Sequence, residues 1–161
     1  MMLLGKEETI ENSKLERAVK LKTIGYPGNS AEILPLDLCT EMGIVVFDNP
    51  RGKPGASEKV AKKMIEFINH GHTYKSVNFP NLHLPRIPGA HRLIHIHRNV
   101  PGIIASINQV FANHDINIVG QYLMTNASIG YVITDVSDQY DKQVLKDLKQ
   151  IEQTIKFRIL Y

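Results

Sequence analysis

Hydrophobic and polar residues alternate most regularly over residues 91–99, where the chain reads HRLIHIHRN. Because successive side chains of a strand point to opposite faces, this alternation predicts a β-strand. One face would carry two isoleucines, and the other would carry His95, His97 and Asn99. An apolar face suits a core, and a face with imidazole and amide groups suits a ligand.

The residues that follow this strand, IIASINQVFANH, have helical periodicity. Pro101 lies where the helix is expected to begin. Proline suits the first helical turn, because an N–H group there would have no intrahelical partner. The start of a helix presents free amides and the positive end of the helix dipole. The end of the predicted strand is therefore expected to bind a small ligand that carries a carboxylate.

The remaining C-terminal pattern continues as strand, strand, helix and strand. The predicted strands are 92–98, 116–125, 129–136 and 154–161, and the predicted helices are 101–113 and 139–150. This βαββαβ order is typical of an α+β, ferredoxin-like fold with a four-stranded antiparallel sheet and two helices on one face.

The N-terminal part has a different pattern, with predicted helices at 6–20 and 34–42 and predicted strands at 21–26 and 44–47. The second strand includes the uninterrupted run IVVF, which is typical of a strand buried on both faces in a parallel sheet. Two strands do not form a stable sheet alone. We therefore expect unpaired strand edges here, and the lowest stability in the chain.

Between these parts lies a Pro- and Gly-rich stretch at 49–57, followed by a helix that Ser57 is expected to cap and Gly71 to end. Residues 72–90 contain several prolines and little periodicity, so they are expected to be extended. We therefore predict an α/β fragment at 1–50, a linker, helix and connector at 51–90, and the ferredoxin-like domain at 91–161.

The composition of the 161-residue chain narrows its function class. A net charge of +3 and scattered lysines without an aromatic stripe argue against nucleic-acid binding. The single cysteine excludes an internal disulfide and fits a reducing compartment, and its apolar helical surroundings predict burial of Cys39. No apolar run approaches membrane-spanning length, and MMLLGKEE is too short for a signal segment, so we expect a cytoplasmic protein.

Histidines on the predicted strand raise the alternative of a metal site. His91, His95 and His97 would share a strand face, and two further histidines, His70 and His72, precede them. Zinc requires three or four converging ligands. The sequence contains neither a paired-cysteine motif nor an HExxH helix, so we predict no bound metal.

The C-terminal sequence resembles a known family. HRLIHIHRNVPGIIASINQVFANHDINIVGQYLMTNASIGYVITDV and the terminal FRILY are similar to the ACT regulatory domain of bacterial D-3-phosphoglycerate dehydrogenases. EKVAKKMIEFINHG and YKSVNFP resemble the helix and connector that precede that domain. KLKTIGYPGNSAEILPLDLCTEMGIVVFDNP resembles part of the substrate-binding domain more distantly, so residues 1–50 are expected to be a remnant of it.

The family's nicotinamide-binding domain has no counterpart in this sequence. Its G-x-G-x-x-G turn, whose glycines let the backbone approach a pyrophosphate, is missing. The family's catalytic arginine, glutamate and histidine match no position here. The resemblance therefore implies an internally deleted dehydrogenase that has no catalytic residues, binds no cofactor and is not an enzyme.

The resemblance also implies a ligand and a partner. ACT domains of this family bind L-serine between two subunits joined side by side, and the motif residues match His97, Asn99 and Asn117, the last from the partner subunit. An amide offers both a donor and an acceptor, so two asparagines are suited to an amino acid. The implied partner is a second copy joined through the ACT sheets or an intact phosphoglycerate dehydrogenase. For an asparagine beside a turn, local backbone capping is the alternative role.

The sequence departs from the family at two positions beside these residues. Arg98 replaces an acidic residue and Val100 replaces an arginine, so ligand affinity or ligand choice is expected to differ. Gly102 and Gly120 fit either a close backbone approach to the ligand or tight packing of a helix on the sheet.

Overall fold

The computed structural model describes residues 1–5, 8–50, 54–137 and 140–160. The chain divides into two compact units, Met1–His83 and Leu84–Tyr161, and each unit has its own sheet. The boundary precedes the predicted start of the ferredoxin-like domain, because the residues before the first antiparallel strand contact that strand.

The N-terminal unit is a parallel βαβαβ arrangement followed by a longer helix. Its strands are β1 (Met2–Leu3), β2 (Thr23–Tyr26) and β3 (Val45–Asp48), and its helices are α1 (Asn12–Arg17), α2 (Leu36–Glu41) and α3 (Ala56–His70), with a 3-10 turn at Ser30–Glu32. The sheet order is β1-β2-β3 with both pairs parallel. The expectation of only two strands was wrong, since β1 adds a third and places β2 in the centre.

The first helix is much shorter than the predicted 6–20, of which residues 6 and 7 lie outside the described part. Leu15 is buried, whereas Val19, four residues later, is 72% exposed. The helix ends at Arg17, and the Leu21 N–H then donates to the Ala18 carbonyl. This turn brings Leu21 into the core, so the apolar pattern continues beyond the helix instead of lengthening it.

Helix α3 packs against the parallel sheet and belongs to the N-terminal unit. It begins at Ala56 after Gly55, which has a φ of 74°, so Ser57 is not its cap as predicted. Val60, Met64 and Phe67 form its buried apolar stripe. Residues 51–53 of the Pro- and Gly-rich stretch lie outside the described part.

Gly25, in the central strand β2, lets α3 approach the sheet. A Cβ atom there would lie 2.6 Å from Val60 Cγ1 and 3.1 Å from Leu3 Cδ1. We expect Gly25→Ala to lower the free energy of unfolding by about 1–3 kcal/mol, because α3 has to move away from the sheet. Urea denaturation measures this loss. The matched control is Gly55→Ala in the same unit, where no atom lies within 4 Å and the cost comes only from a φ of 74°. An equal or smaller loss for Gly25→Ala would contradict the packing role.

Residues 72–83 form a fixed loop, although an extended connector was predicted. The Val77 N–H donates to the Val46 carbonyl over 2.8 Å. The Val46 N–H in turn donates to Asn78 Oδ1 over 2.8 Å. The loop thus pairs with the outer edge of β3, so the prediction that the IVVF edge is unpaired was wrong. Lower stability of this unit stays a prediction.

The C-terminal unit has the predicted βαββαβ order. Its elements are β4 (His91–Arg98), α4 (Ile103–Asn113), β5 (Ile118–Thr125), β6 (Ile129–Val136), α5 (Lys142–Gln150) and β7 (Thr154–Leu160). The sheet is antiparallel with the order β5-β6-β4-β7, which confirms the α+β, ferredoxin-like prediction. Both helices pack on one face, in a core that includes Leu93, Ile107, Val132 and Leu148.

The ends of the two helices differ from the predicted bounds. Helix α4 begins at Ile103 after Gly102, whose φ is 85°, so Pro101 lies in the preceding turn and not in the first helical turn. Helix α5 begins at Lys142, because Asp141 Oδ1 accepts hydrogen bonds from the N–H groups of two residues in its first turn. Residue 139 of the predicted helix and residue 161 of the predicted last strand lie outside the described part.

The sheet face opposite the helices carries a buried ion pair. Arg92 and Asp135 are cross-strand partners on β4 and β6, and their side chains are 1% and 2% exposed. The guanidinium donates from Nε and from a terminal nitrogen to the two carboxylate oxygens, each over 2.7 Å. It also donates to the carbonyls of Leu84 (2.8 Å) and Pro85 (2.9 Å), which fixes the segment entering the unit.

None of the helices in the described ranges combines the length and the apolar character needed to cross a membrane.

Candidate functional site

Strand β4 ends beside two of the predicted site residues, His97 and Asn99, at one end of the antiparallel sheet. His95 and His97 share one face, as the alternation predicted, but this is the face that the helices cover. His95 is 3% exposed and His97 is fully buried, so they do not line an open polar face. The isoleucines on the other face are also buried. Alternation alone shows which residues share a face, but not what covers that face.

His97 has a fixed tautomer and an unused ring nitrogen. Its Nδ1 donates to the Arg98 carbonyl over 2.7 Å, which leaves Nε2 as an acceptor. Nε2 is buried and has no hydrogen-bond partner among the described residues. The ring lies against Gly130, its cross-strand partner, where any side chain would collide with it. Burial lowers the pKa of His97, so the imidazole is neutral at pH 7.

His95 is held in a similar way by the start of β7. The Thr154 hydroxyl donates to the Ile151 carbonyl over 2.6 Å, so it can only accept from His95 Nε2, at 2.8 Å. His95 Nδ1 is therefore an acceptor, and it too is buried without a partner in the described part of the chain. Burial, reinforced by His97, lowers the pKa of His95 to about 4. Its ring centroid lies 6.0 Å from that of His97.

Asn99 lies just beyond β4 and is exposed. Its Nδ2 donates to the Asn126 carbonyl over 2.8 Å, and its backbone N–H donates to the Ser128 carbonyl over 2.9 Å. Asn99 Oδ1 makes no hydrogen bond to any described residue. The amide therefore does cap a neighbouring turn, as the alternative predicted, and still presents an acceptor to solvent.

Asn117 is exposed and lies at the opposite end of the sheet within one chain. It immediately precedes β5, whose Ile118 shares a row with Val136 and His91, whereas His97 shares a row with Gly130. These rows are six residues apart along β4, which corresponds to about 20 Å at the rise of a strand. A single chain therefore brings His97 and Asn99 together but not Asn117.

Sequence reasoning missed the residues that support this site. Thr154 fixes the His95 ring, and Gly130 leaves room for the His97 ring. Asn126 and Ser128 hold Asn99, and Asn126 Oδ1 accepts from the Ser128 and Ile129 N–H groups to close the β5–β6 turn. Only the turn composition of Asn126 gave a sequence signal.

The positions that depart from the resembled family, and the two glycines, have distinct roles. Arg98 is exposed, while Val100 packs against the helix-side core. Gly102 has open space around it and is required for its positive φ, not for a close approach. Gly120 does allow a close approach, since a Cβ there would lie 2.9 Å from Ile87 Cδ1.

The strand histidines use ring nitrogens for bonds within the protein. His91 Nδ1 lies 3.1 Å from the Tyr140 hydroxyl, whereas His95 and His97 bond as described above. Over the described ranges, no three His, Cys, Asp or Glu side chains are arranged to hold a metal ion.

Strand β5 forms one edge of the sheet and exposes apolar side chains. Val119, Tyr122 and Leu123 are 43%, 51% and 36% exposed. No described strand pairs with its outer side. An exposed edge with apolar residues is a template for pairing with another chain.

Comparison with known proteins identifies the C-terminal fold. Residues 93–156 match the family model described as the AHAS small subunit-like ACT domain. The D-3-phosphoglycerate dehydrogenase of Haemophilus influenzae is 45% identical over 103 residues, which are 64% of this chain and 25% of that protein. The Escherichia coli (strain K12) enzyme is 42% identical over 105 residues, with the same coverage. The chain thus spans about a quarter of the length of these relatives.

Among solved structures, the ACT domain from GTP pyrophosphokinase of Chlorobium tepidum aligns with a TM-score of 0.38 and 16% identity. The alignment covers 44% of this chain and 96% of that one.

Proposed function

Because residues 93–156 form an ACT-like domain related to the regulatory region of D-3-phosphoglycerate dehydrogenases, we propose that this chain is a regulatory module that binds L-serine or a similar small amino acid. The observation that carries the proposal is a buried acceptor on His97 that has no partner among the described residues, two residues from the exposed amide of Asn99. A buried acceptor without a donor is costly, and a ligand's ammonium or hydroxyl group would satisfy it.

The second half of the proposed site comes from another copy of the chain. Antiparallel pairing of β5 with its copy, centred on the strand, would place residue 118 of the partner opposite residue 125. The partner's Asn117 would then lie beside Asn126, whose carbonyl holds Asn99. This pairing would also cover the exposed side chains of β5. It would bring the partner's Asn117 towards His97 and Asn99.

The amino-acid ligand would be read by complementary groups. Asn99 Oδ1 is an exposed acceptor, and His97 Nε2 is a buried acceptor that a ligand would reach only after the side chains over it move. Both suit an ammonium or hydroxyl group. The partner's Asn117 supplies both a donor and an acceptor, and α4 begins four residues after Asn99 with free backbone amides for a carboxylate. The proposed site would thus bind both the ammonium group and the carboxylate of an amino acid.

We expect Asn99→Ala to weaken L-serine binding by about 1–3 kcal/mol, because it leaves polar groups of the ligand unpaired. Titration calorimetry with L-serine, and with glycine and alanine for comparison, measures the change. Asn113→Ala is the matched control, since Asn113 is an exposed asparagine on α4 whose side-chain oxygen accepts from Gln109 Nε2. An unchanged dissociation constant for Asn99→Ala would remove this residue from the site.

The full chain is expected to be a dimer at micromolar concentration, and Leu123→Lys to shift it towards monomer by placing a charged side chain on the exposed apolar edge that the pairing covers. Sedimentation velocity measures the mass. Ile65→Lys is the control, because Ile65 is a similarly exposed apolar residue on α3 in the other unit. A parent chain that stays monomeric at all concentrations would contradict the shared site.

We further propose that the chain has no dehydrogenase activity of its own. The matched region is about a quarter of each relative, and the sequence lacks the dinucleotide-binding glycine turn. Incubation with NAD(H) and either 3-phosphoglycerate or phosphohydroxypyruvate tests this, and measurable turnover would overturn it.

A second candidate role is that of an interaction subunit for an intact phosphoglycerate dehydrogenase. Identity of 45% to one such enzyme over 103 residues favours a compatible β5 edge. Co-expression with a full-length dehydrogenase, followed by co-purification, tests this role. Clean separation of the two proteins at micromolar concentration would exclude it, and would leave the homodimer.

A further inference from the structure

The N-terminal unit contains a cavity of about 220 Å³ beside helix α3 that the proposed function does not use. It is lined by Lys63, Glu66, His72, Tyr74 and His83. Two of these residues come from α3 and three from the loop over 72–83. The lining combines ring faces and the aliphatic part of a lysine with only a few polar atoms, which is typical of a small-molecule site.

The loop that supplies three of these side chains is fixed by its own hydrogen bonds. Thr73 and Leu82 bond in both directions, from the Thr73 N–H to the Leu82 carbonyl (2.9 Å) and from the Leu82 N–H to Thr73 Oγ1 (3.1 Å). The Thr73 hydroxyl donates to the Pro80 carbonyl over 2.6 Å. These bonds bring the rings of His72 and His83 to a centroid distance of 4.1 Å. The aromatic wall is therefore preformed.

Charges of both signs surround Lys63, with the carboxylates of Asp48 and Glu66 on one hand and the ammonium of Lys75 on the other. The feature that suits an anion is the set of hydrogen-bond donors on Lys63 itself. Lys63 Nζ donates one hydrogen bond to the Asp48 carbonyl over 3.0 Å, and an ammonium has three donors. A second ammonium, that of Lys75, lies 4.9 Å from the centre of the Tyr74 ring. The carboxylate of Glu66 is already engaged, with Oε2 at 3.3 Å from His72 Nδ1. Burial lowers the pKa of Lys63, so an approaching anion would gain from its poorly solvated charge.

We propose that this cavity binds a small planar aromatic carboxylate, with its ring against the side chains of His72, His83 and Tyr74 and its carboxylate on Lys63. The size fits, because a cavity of about 150 Å³ is enough for benzene and a carboxylate needs little more. This site is independent of the ACT-like domain, so the outcome of a test of one proposal has no bearing on the other.

Titration of the full chain with benzoate tests this site, followed by calorimetry and by NMR of the imidazole carbon-bound protons. We expect benzoate to shift the His72 and His83 signals, and benzamide, cyclohexanecarboxylate and acetate to bind more weakly. Lys63→Met should weaken benzoate binding about tenfold or more, because it removes a charge-assisted hydrogen bond. Lys62→Met is the matched control, since Lys62 is an exposed lysine on the same helix that pairs with Glu58, and its affinity should be unchanged.

Three results would overturn the proposal: no shift of the His72 and His83 signals, equal binding of benzamide or acetate, or full affinity in Lys63→Met. Lys63→Arg keeps the charge and is expected to keep most of the binding. If Lys63→Met does not fold, the comparison of benzoate with benzamide and acetate on the unchanged chain decides the matter.

Discussion

Asp135→Ala is expected to lower the free energy of unfolding of the C-terminal unit by about 3–5 kcal/mol, because it leaves the Arg92 charge buried without its partner. Both side chains are almost fully buried, and the carboxylate accepts two of the hydrogen bonds that the guanidinium donates. Bonds to the carbonyls of Leu84 and Pro85 remain, but carbonyls do not neutralise a charge. Urea denaturation followed by circular dichroism measures the loss.

Two controls separate the charge effect from a general loss of packing. The double variant Arg92→Met with Asp135→Leu removes both charges and should recover much of the stability, since a buried ion pair is often replaceable by apolar residues. Asp147→Ala breaks a partly exposed pair with His114 in the same unit and should have a much smaller effect. A double variant as unstable as Asp135→Ala would show that the buried charge is not the cause.

Acidification is expected to destabilise the C-terminal unit by about 3 kcal/mol through His95 alone. Burial lowers the pKa of His95 from 6.5 to about 4 in the folded chain. Between these values the unfolded chain binds a proton that the folded chain does not. The stabilisation is therefore complete above pH 6.5 and is lost as the pH falls towards 4. His97, whose pKa is also lowered by burial, acts in the same direction.

Urea denaturation at several pH values between 7 and 4 measures this loss. In His95→Gln, a side chain that does not titrate replaces the imidazole and can still donate to Thr154, so the dependence on pH should become shallower. The parent chain is measured over the same pH range as the reference. Carboxylates titrate alike in both proteins, so their effect on stability cancels in the comparison. Parallel curves for the two proteins would show that His95 is not responsible.

The candidate site could be predicted only in part from the sequence. The spacing of His95 and His97 placed them on one face, and the structure has them there. Helices α4 and α5 cover that face, and no local sequence pattern predicts which face of a strand is covered. Within one chain the sheet separates Asn117 from Asn99, so the predicted role of Asn117 requires a second chain. The role of all three residues as ligands stays a prediction.

The sequence by itself determined the βαββαβ order of the C-terminal unit. Each strand and helix there is long enough for its hydrophobic periodicity to identify it. The sequence also determined burial of the IVVF run, since continuous β-branched and aromatic residues have no solvent-facing side. The tertiary structure alone decided the third parallel strand, because Met2 and Leu3 are too few to show a period. It alone decided the pairing of Arg92 with Asp135, 43 residues apart. Such contacts depend on which strands become neighbours, and this follows from the packing of the whole unit.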